Sequence, residues 1–329
     1  VVATNLFLTL LLVFLFGLTA EIFNSTMDAH RDEIGGWWAR LARGPFRFLV
    51  PASVAAGSTE TLIGVERPRP SISRRFRALV QALVVLSLLG LIYGFLSPDF
   101  GLNPASLVLV VSLVVGLGFM TYFSEGSSSF LAARRYRADA SIRLFWTAVL
   151  VAIIAVVVSR SVTFQPGLVY GFVASAVIVT PIALAKRQDA TLVLVPAFGL
   201  LVVSILAWLL LAPARVAAAD GSWPPALVET ILAMIVIGGL EGLVVTMIPL
   251  RFMDGAAVLG WSRLAWALTF GTVVFLWWQL LLNQNKSYVA AFEQTNVQVV
   301  LGTLGVFMLT TGLLWSYFRF RRTPAEVEA

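Results

Sequence analysis

The sequence has 329 residues, 59% of them apolar and 12% charged, with a mean hydropathy of +0.91. Soluble domains carry about a quarter charged residues and about half apolar ones, so this composition excludes an ordinary water-soluble globule. The net charge of +6 comes from 23 basic and 17 acidic residues, with a single His and no Cys.

The lack of Cys excludes disulfides, thiolate nucleophiles and sulfur-ligated metals. One histidine, His30, is a poor inventory for catalytic zinc, which usually takes two or three His. No metal and no cofactor are therefore expected. Apolar windows of about 18 residues or more recur along the chain and predict membrane-spanning helices. Helices satisfy their own backbone groups in lipid, and the alternation of a transmembrane barrel is absent. The fold class expected is an all-α polytopic membrane protein with about nine transmembrane helices.

The chain begins VVATN, which leaves room for an upstream region, and its first apolar segment is 4–23. That segment has no basic stretch before it and no small-residue cleavage site, so it reads as a span and not a signal peptide. Asn24 to Asp28 reads as a helix start, with Ser25 or Thr26 as cap. Trp37, Trp38, Leu41, Phe46 and Phe48, set among Arg40, Arg43 and Arg47, predict a helix lying in the interface. Pro68 and Pro70 punctuate the exit from this loop.

Further spans are expected at 79–96, at 105–123 with the helix continuing to about 131, and at 144–159 and 167–185. Four more are expected at 191–211, 226–250, 262–282 and 298–318. The segment 167–185 is rich in Gly, Pro and β-branched residues, and a re-entrant hairpin is its alternative. Lys and Arg concentrate in cytoplasmic loops. With nine spans and the N-terminus outside, only Arg160, Arg215 and Lys286 fall outside, and the other 20 basic residues fall inside. This charge reads as topology and not as nucleic-acid binding. The expected location is the plasma membrane, with a cytoplasmic C-terminus.

Two stretches stand out. The first is Phe123 to Tyr136, FSEGSSSFLAARRY, and the second is Thr246 to Arg263, TMIPLRFMDGAAVLGWSR. Together they resemble the two halves of the site in the site-2 protease family of intramembrane zinc metalloproteases. That family carries His-Glu-x-x-His on a helix, two His binding zinc and the Glu acting as general base. Here Glu125 matches the base, while Ser124 and Ser128 stand where both His would be. The second element is Asn-x-x-Pro followed by Leu-Asp-Gly. Pro249 and Asp254 keep its spacing, Asp254 matching the third ligand, and Thr246 replaces the Asn. Weaker echoes lie at Gln165 to Tyr170 and at Val195, Pro196 and Gly199.

The resemblance covers about 105–282, and it implies a protease-like membrane core whose metal ligands are lost. The chain then divides into an N-terminal region, 1–104, with a basic Trp/Arg-rich loop, the core, 105–282, and a last span with a basic cytoplasmic tail, 283–329. Each marked residue also has an ordinary reading. Glu125 reads as an interfacial carboxylate, Asp254 as a helix-start residue, and Ser127 to Ser129 with Gly126 as a close-packing surface. Glu241 is the most deeply placed charge and requires a partner or a polar cavity. Ser124 beside Glu125 makes no nucleophilic dyad, because neighbours on a helix point apart. An aspartyl mechanism would require Glu125 and Asp254 to share a proton.

The function expected is that of a non-catalytic membrane protein, a pseudo-protease. It would bind another membrane protein or a transmembrane segment as regulator, chaperone or assembly factor, with the bilayer as its other partner. The alternative is a membrane anchor for an upstream region, with the loop 24–78 as docking surface.

Overall fold

Three helices, one from the middle of the chain and two consecutive ones after it, form the centre of the molecule. The computed structural model describes residues 2–43, 62–63, 72–144, 147–164, 167, 174–180, 184–282 and 295–321. Its elements in order are α1 (Val2–Ala29), α2 (Arg31–Arg43), β1 (Leu62–Ile63), α3 (Ile72–Gly94), α4 (Pro104–Tyr136), β2 (Asp139–Leu144) and α5 (Thr147–Ser161). Then come β3 (Ala174–Thr180), α6 (Lys186–Ala217), α7 (Trp223–Thr246), α8 (Gly255–Trp261), α9 (Arg263–Trp277, continued by a π-helical turn to Leu282) and α10 (Thr295–Phe320).

Among the described residues, six helices are long and apolar enough to cross a membrane: α1, α4, α6, α7, α9 with its π-helical turn, and α10. Two shorter apolar stretches lie at Ala78–Gly94 in α3 and Ala148–Ser161 in α5. Eight of the nine expected spans thus fall on helices. The ninth, 167–185, does not. It holds β3, and the β-branched run Val177, Ile178, Val179 and Thr180 favours that extended form. β3 is the central strand of a three-stranded sheet, antiparallel to β2 and parallel to β1.

The start of α4 is set by Asn103, whose side chain accepts the Ser106 N–H at 2.7 Å, with Pro104 in the first turn. It stops at Arg137, which adopts φ 52°. α4 and α6 run antiparallel, because Phe123 packs on Gly199 and the Ser128 hydroxyl donates to the Leu192 carbonyl at 3.2 Å. α7 completes the trio. Gly116 of α4 abuts Met234, and Ser204 of α6 lies so close to Gly239 that a Cβ there would overlap its hydroxyl. Small residues at these crossings permit the close approach on which helix packing in lipid depends.

These registers define two ends of the bundle. One holds the end of α4, the start of α6 and the end of α7. The other holds the α3–α4 turn, where Arg160 donates to the Phe95 carbonyl at 2.7 Å and Gly167 abuts Leu96. Gly167 and Lys186 therefore lie at opposite ends, and β3 is the longest described stretch of chain between them. α5 has 15 residues and rises only about 22 Å, less than the roughly 30 Å of a hydrocarbon core. β2 precedes it and packs beside α4.

The first helix joins the last two. Phe16 meets Phe270 edge-on and stacks on Phe307, both at 6.0 Å, and Gly17 lies against Trp266. Asn5 donates to the Gln279 side chain at 2.7 Å, satisfying two polar groups within an apolar interface. α1 runs unbroken through Asn24. The expected helix start there is not formed, because the Ser25 and Thr26 hydroxyls bond back to Ile22 and cap nothing.

Candidate functional site

Both halves of the motif lie at the same end of the bundle, as the antiparallel register of α6 against α4 and α7 requires. On α4, Glu125 is buried, and Ser124 and Ser128 are half buried. Four residues apart, the two serines share a helix face. Ser128 turns its hydroxyl to α6. This hydroxyl is therefore used in helix–helix packing.

The second half is a tight turn. Thr246 bonds back into α7, at 2.9 Å to the Gly242 carbonyl and 3.3 Å to that of Leu243. The Met247 carbonyl accepts the Trp266 indole N–H at 2.9 Å. Gly255 packs against the backbone of Met247 and Ile248 so closely that a Cβ would overlap the Met247 carbonyl oxygen. This explains the Asp-Gly pair: the residue after Asp254 must be Gly for the chain to double back. Asp254 is half buried at the cap position of α8, but its side chain makes no capping hydrogen bond. Its backbone carbonyl accepts from Ala257 instead, at 3.0 Å. The expected side-chain cap is thus not formed.

α1 holds this turn from outside. Asn24 donates to the Pro249 carbonyl at 2.8 Å and accepts the Arg251 N–H at 2.9 Å. Asp28 is ion-paired with Arg251, and Phe23 meets Phe252 edge-on at 6.5 Å. Glu21 pairs with Arg263 at 2.6 Å. Sequence reading missed this buttress. The one available signal was a polar Asn directly after an apolar run, which reads equally well as a cap.

His30 has a different use, on α10, although Asp28 two residues earlier reaches Arg251 of the second half. Its ring stacks on Phe318 of α10 at 4.0 Å, and its Nδ1 lies 3.2 Å from the Thr26 carbonyl. α2 is the amphipathic helix expected after α1. It is fastened to α10 by Trp37 stacked on Phe318 at 5.5 Å and by an ion pair between Glu33 and Arg321. Phe46 and Phe48 lie outside the described residues. Glu241 is buried on α7, between Leu240 and Leu243, which are buried too.

Among the described residues, no group of three or more His, Cys, Asp and Glu side chains is placed to hold a metal ion. Hydroxyls at 124 and 128 are weak zinc ligands beside His, Cys or carboxylate. No family model, curated protein or solved structure matches the chain.

Proposed function

We propose that the chain is a non-catalytic membrane protein built on an arrangement like that of site-2 proteases, and that it binds a transmembrane partner. One observation carries this reading. A folded Pro249-to-Gly255 turn and a buried Glu125 lie at the same end of the bundle, while Ser128, at a ligand position, is engaged with α6. Scaffold features without ligands suit a protein that regulates, chaperones or assembles another membrane protein. The concentration of basic residues at this end supports a cytoplasmic orientation for it in the plasma membrane, with the C-terminus on the same side.

Two experiments test the reading. A Ser124→His/Ser128→His variant is expected to take up zinc that the parent does not hold, and to lose it on further change of Asp254→Ala. Failure of the double variant to bind zinc removes the protease-like geometry. For the partner, a photo-crosslinking amino acid at Gly126, which has open space around it, is expected to capture a membrane protein in cells. Adducts with lipid alone would count against partner binding.

The anchor reading draws on the fastening of α2 to α10, which would give an upstream region a rigid seat. Separating α2 from α10 with Trp37→Ala and Glu33→Gln should then disturb that region and leave crosslinking at residue 126 intact.

A further inference from the structure

An open pocket of about 620 Å³ lies where the end of α4 meets the start of α6. Leu131, Arg134, Arg135 and Tyr136 of α4 line it with Gln188 of α6. Its volume falls within the roughly 300–1,000 Å³ typical of small-ligand sites. Arg134 and Arg135 line it, and Arg187 and Lys186 stand one and two residues before Gln188, all four cations exposed. Among the described residues none of the four makes an ion pair. Asp189, in the first turn of α6, is a nearby acid and half buried.

The depth of the pocket follows from α4. Its outward apolar residues run Leu107, Val111, Val115, Phe119, Tyr122 and Phe130, all exposed. Leu107 and Phe130 are about 35 Å apart along the axis at 1.5 Å per residue, which a moderately tilted helix fits to a hydrocarbon core of about 30 Å. One turn beyond Phe130 comes Arg134, its guanidinium 5.5 Å from the Phe130 ring centroid. The apolar stripe thus ends in a cation at the depth of lipid headgroups. The Ser128–Leu192 hydrogen bond brings the start of α6 to the same depth, so that Lys186 lies level with Arg134.

We infer that this pocket binds the phosphate of an anionic phospholipid headgroup. Basic pockets between transmembrane helices at the membrane surface suit that chemistry, and a planar guanidinium forks onto phosphate oxygens. The acyl chains would lie along the Phe119–Phe130 stripe. Gln188 has a defined part in the site. Its side-chain oxygen accepts the Ala185 N–H at 2.9 Å, so its amide group is left as the donor. The inference rests on the membrane-embedded reading of the bundle and not on the protease resemblance.

Native mass spectrometry of the detergent-purified full chain tests it, by titration with dioleoyl phosphatidylglycerol and, separately, dioleoyl phosphatidylcholine. The parent is expected to retain phosphatidylglycerol about tenfold more tightly than phosphatidylcholine, the scale set by two or more surface cations. Arg134→Ala/Arg135→Ala should abolish that preference. Gln188→Glu should do the same while keeping an acceptor for the Ala185 N–H, so it separates loss of the site from loss of the fold. Inorganic phosphate at millimolar concentration should leave lipid retention unchanged. Equal retention of the two lipids by the parent, or an undiminished preference in Gln188→Glu, overturns the proposal. Displacement by inorganic phosphate also overturns it, in favour of a soluble phosphate ligand.

Discussion

Asn24 and Arg251 are joined by a backbone-to-side-chain hydrogen bond of 2.9 Å across 227 positions of sequence, and the same carboxamide donates to Pro249. One side chain thus saturates a donor and an acceptor of the turn that leads into Asp254. Asn24→Ala is expected to lower stability by about 1–3 kcal/mol, since it leaves two backbone groups without their partner. Asn24→Asp is the sharper probe. It keeps the acceptor for the Arg251 N–H but sets an oxygen against the Pro249 carbonyl, so it should be at least as damaging as Ala. Thermal unfolding in detergent reads both, and an unshifted midpoint in either would remove the buttress role of α1.

Gly239 and Gly255 are both closed to a Cβ, for different reasons. At Gly239 the obstacle is the Ser204 hydroxyl, and at Gly255 it is the backbone of Met247 and Ile248. Gly239→Ala is expected to cost about 1–3 kcal/mol by overpacking, and Ser204→Ala in the same chain should recover most of it. Gly255→Ala has no side chain to trim and should resist any second-site repair within contact. Comparing the two single variants with the 204/239 double variant by thermal unfolding checks this.

Trp37 and Glu33 both tie α2 to α10, but with unequal strength. The Glu33–Arg321 pair is solvent-exposed, so it contributes little and fades with salt. The Trp37–Phe318 stack adds roughly 0.5–1.5 kcal/mol beyond its buried area. Hydrogen exchange over α2 should therefore accelerate more in Trp37→Ala than in Glu33→Gln, and only the latter difference should vanish in high salt.

Asp220 gives a pH dependence with a definite sign. Its carboxylate accepts the Ser222 N–H at 3.0 Å and the Ser222 hydroxyl at 2.7 Å, which holds its pKa below the ordinary 3.8. A lowered folded-state value means that the stabilisation is complete above the ordinary value. It disappears as pH falls through the lowered one. Asp220→Ala should weaken the α6–α7 turn at neutral pH and make no difference well below pH 3.8. Exchange rates of the Ser222 amide at the two pH values measure it.

How far the sequence discloses this structure can be judged from particular residues. Eight helices are legible because long apolar runs have one solution in lipid. The stretch 167–185 misleads because hydropathy measures transfer to an apolar setting and is blind to secondary structure. The β-branched cluster 177–180 does carry the correct signal. Ser25 and Thr26 show how a hydroxyl that would cap a helix can equally bond back into one. Asp254 heads α8 as expected, but whether its carboxylate caps is decided by local geometry. Asn24 was beyond reach, because its partners are carbonyl and amide groups that every residue possesses.

The sheet also sets a timetable. Leu62 pairs with Val179, more than a hundred residues later, whereas β2 finds β3 across a much shorter interval. At typical synthesis rates of 5–20 residues per second, β1 waits about 5–25 s for its partner to be made. The β2–β3 pair, with its lower loop-closure cost, forms first. Docking of β1 then follows, onto a bundle that is already half assembled in the bilayer. A nascent chain arrested before residue 174 would hold α1 to α5 with no sheet at all, and Leu62 and Ile63 would still be open to any factor waiting there.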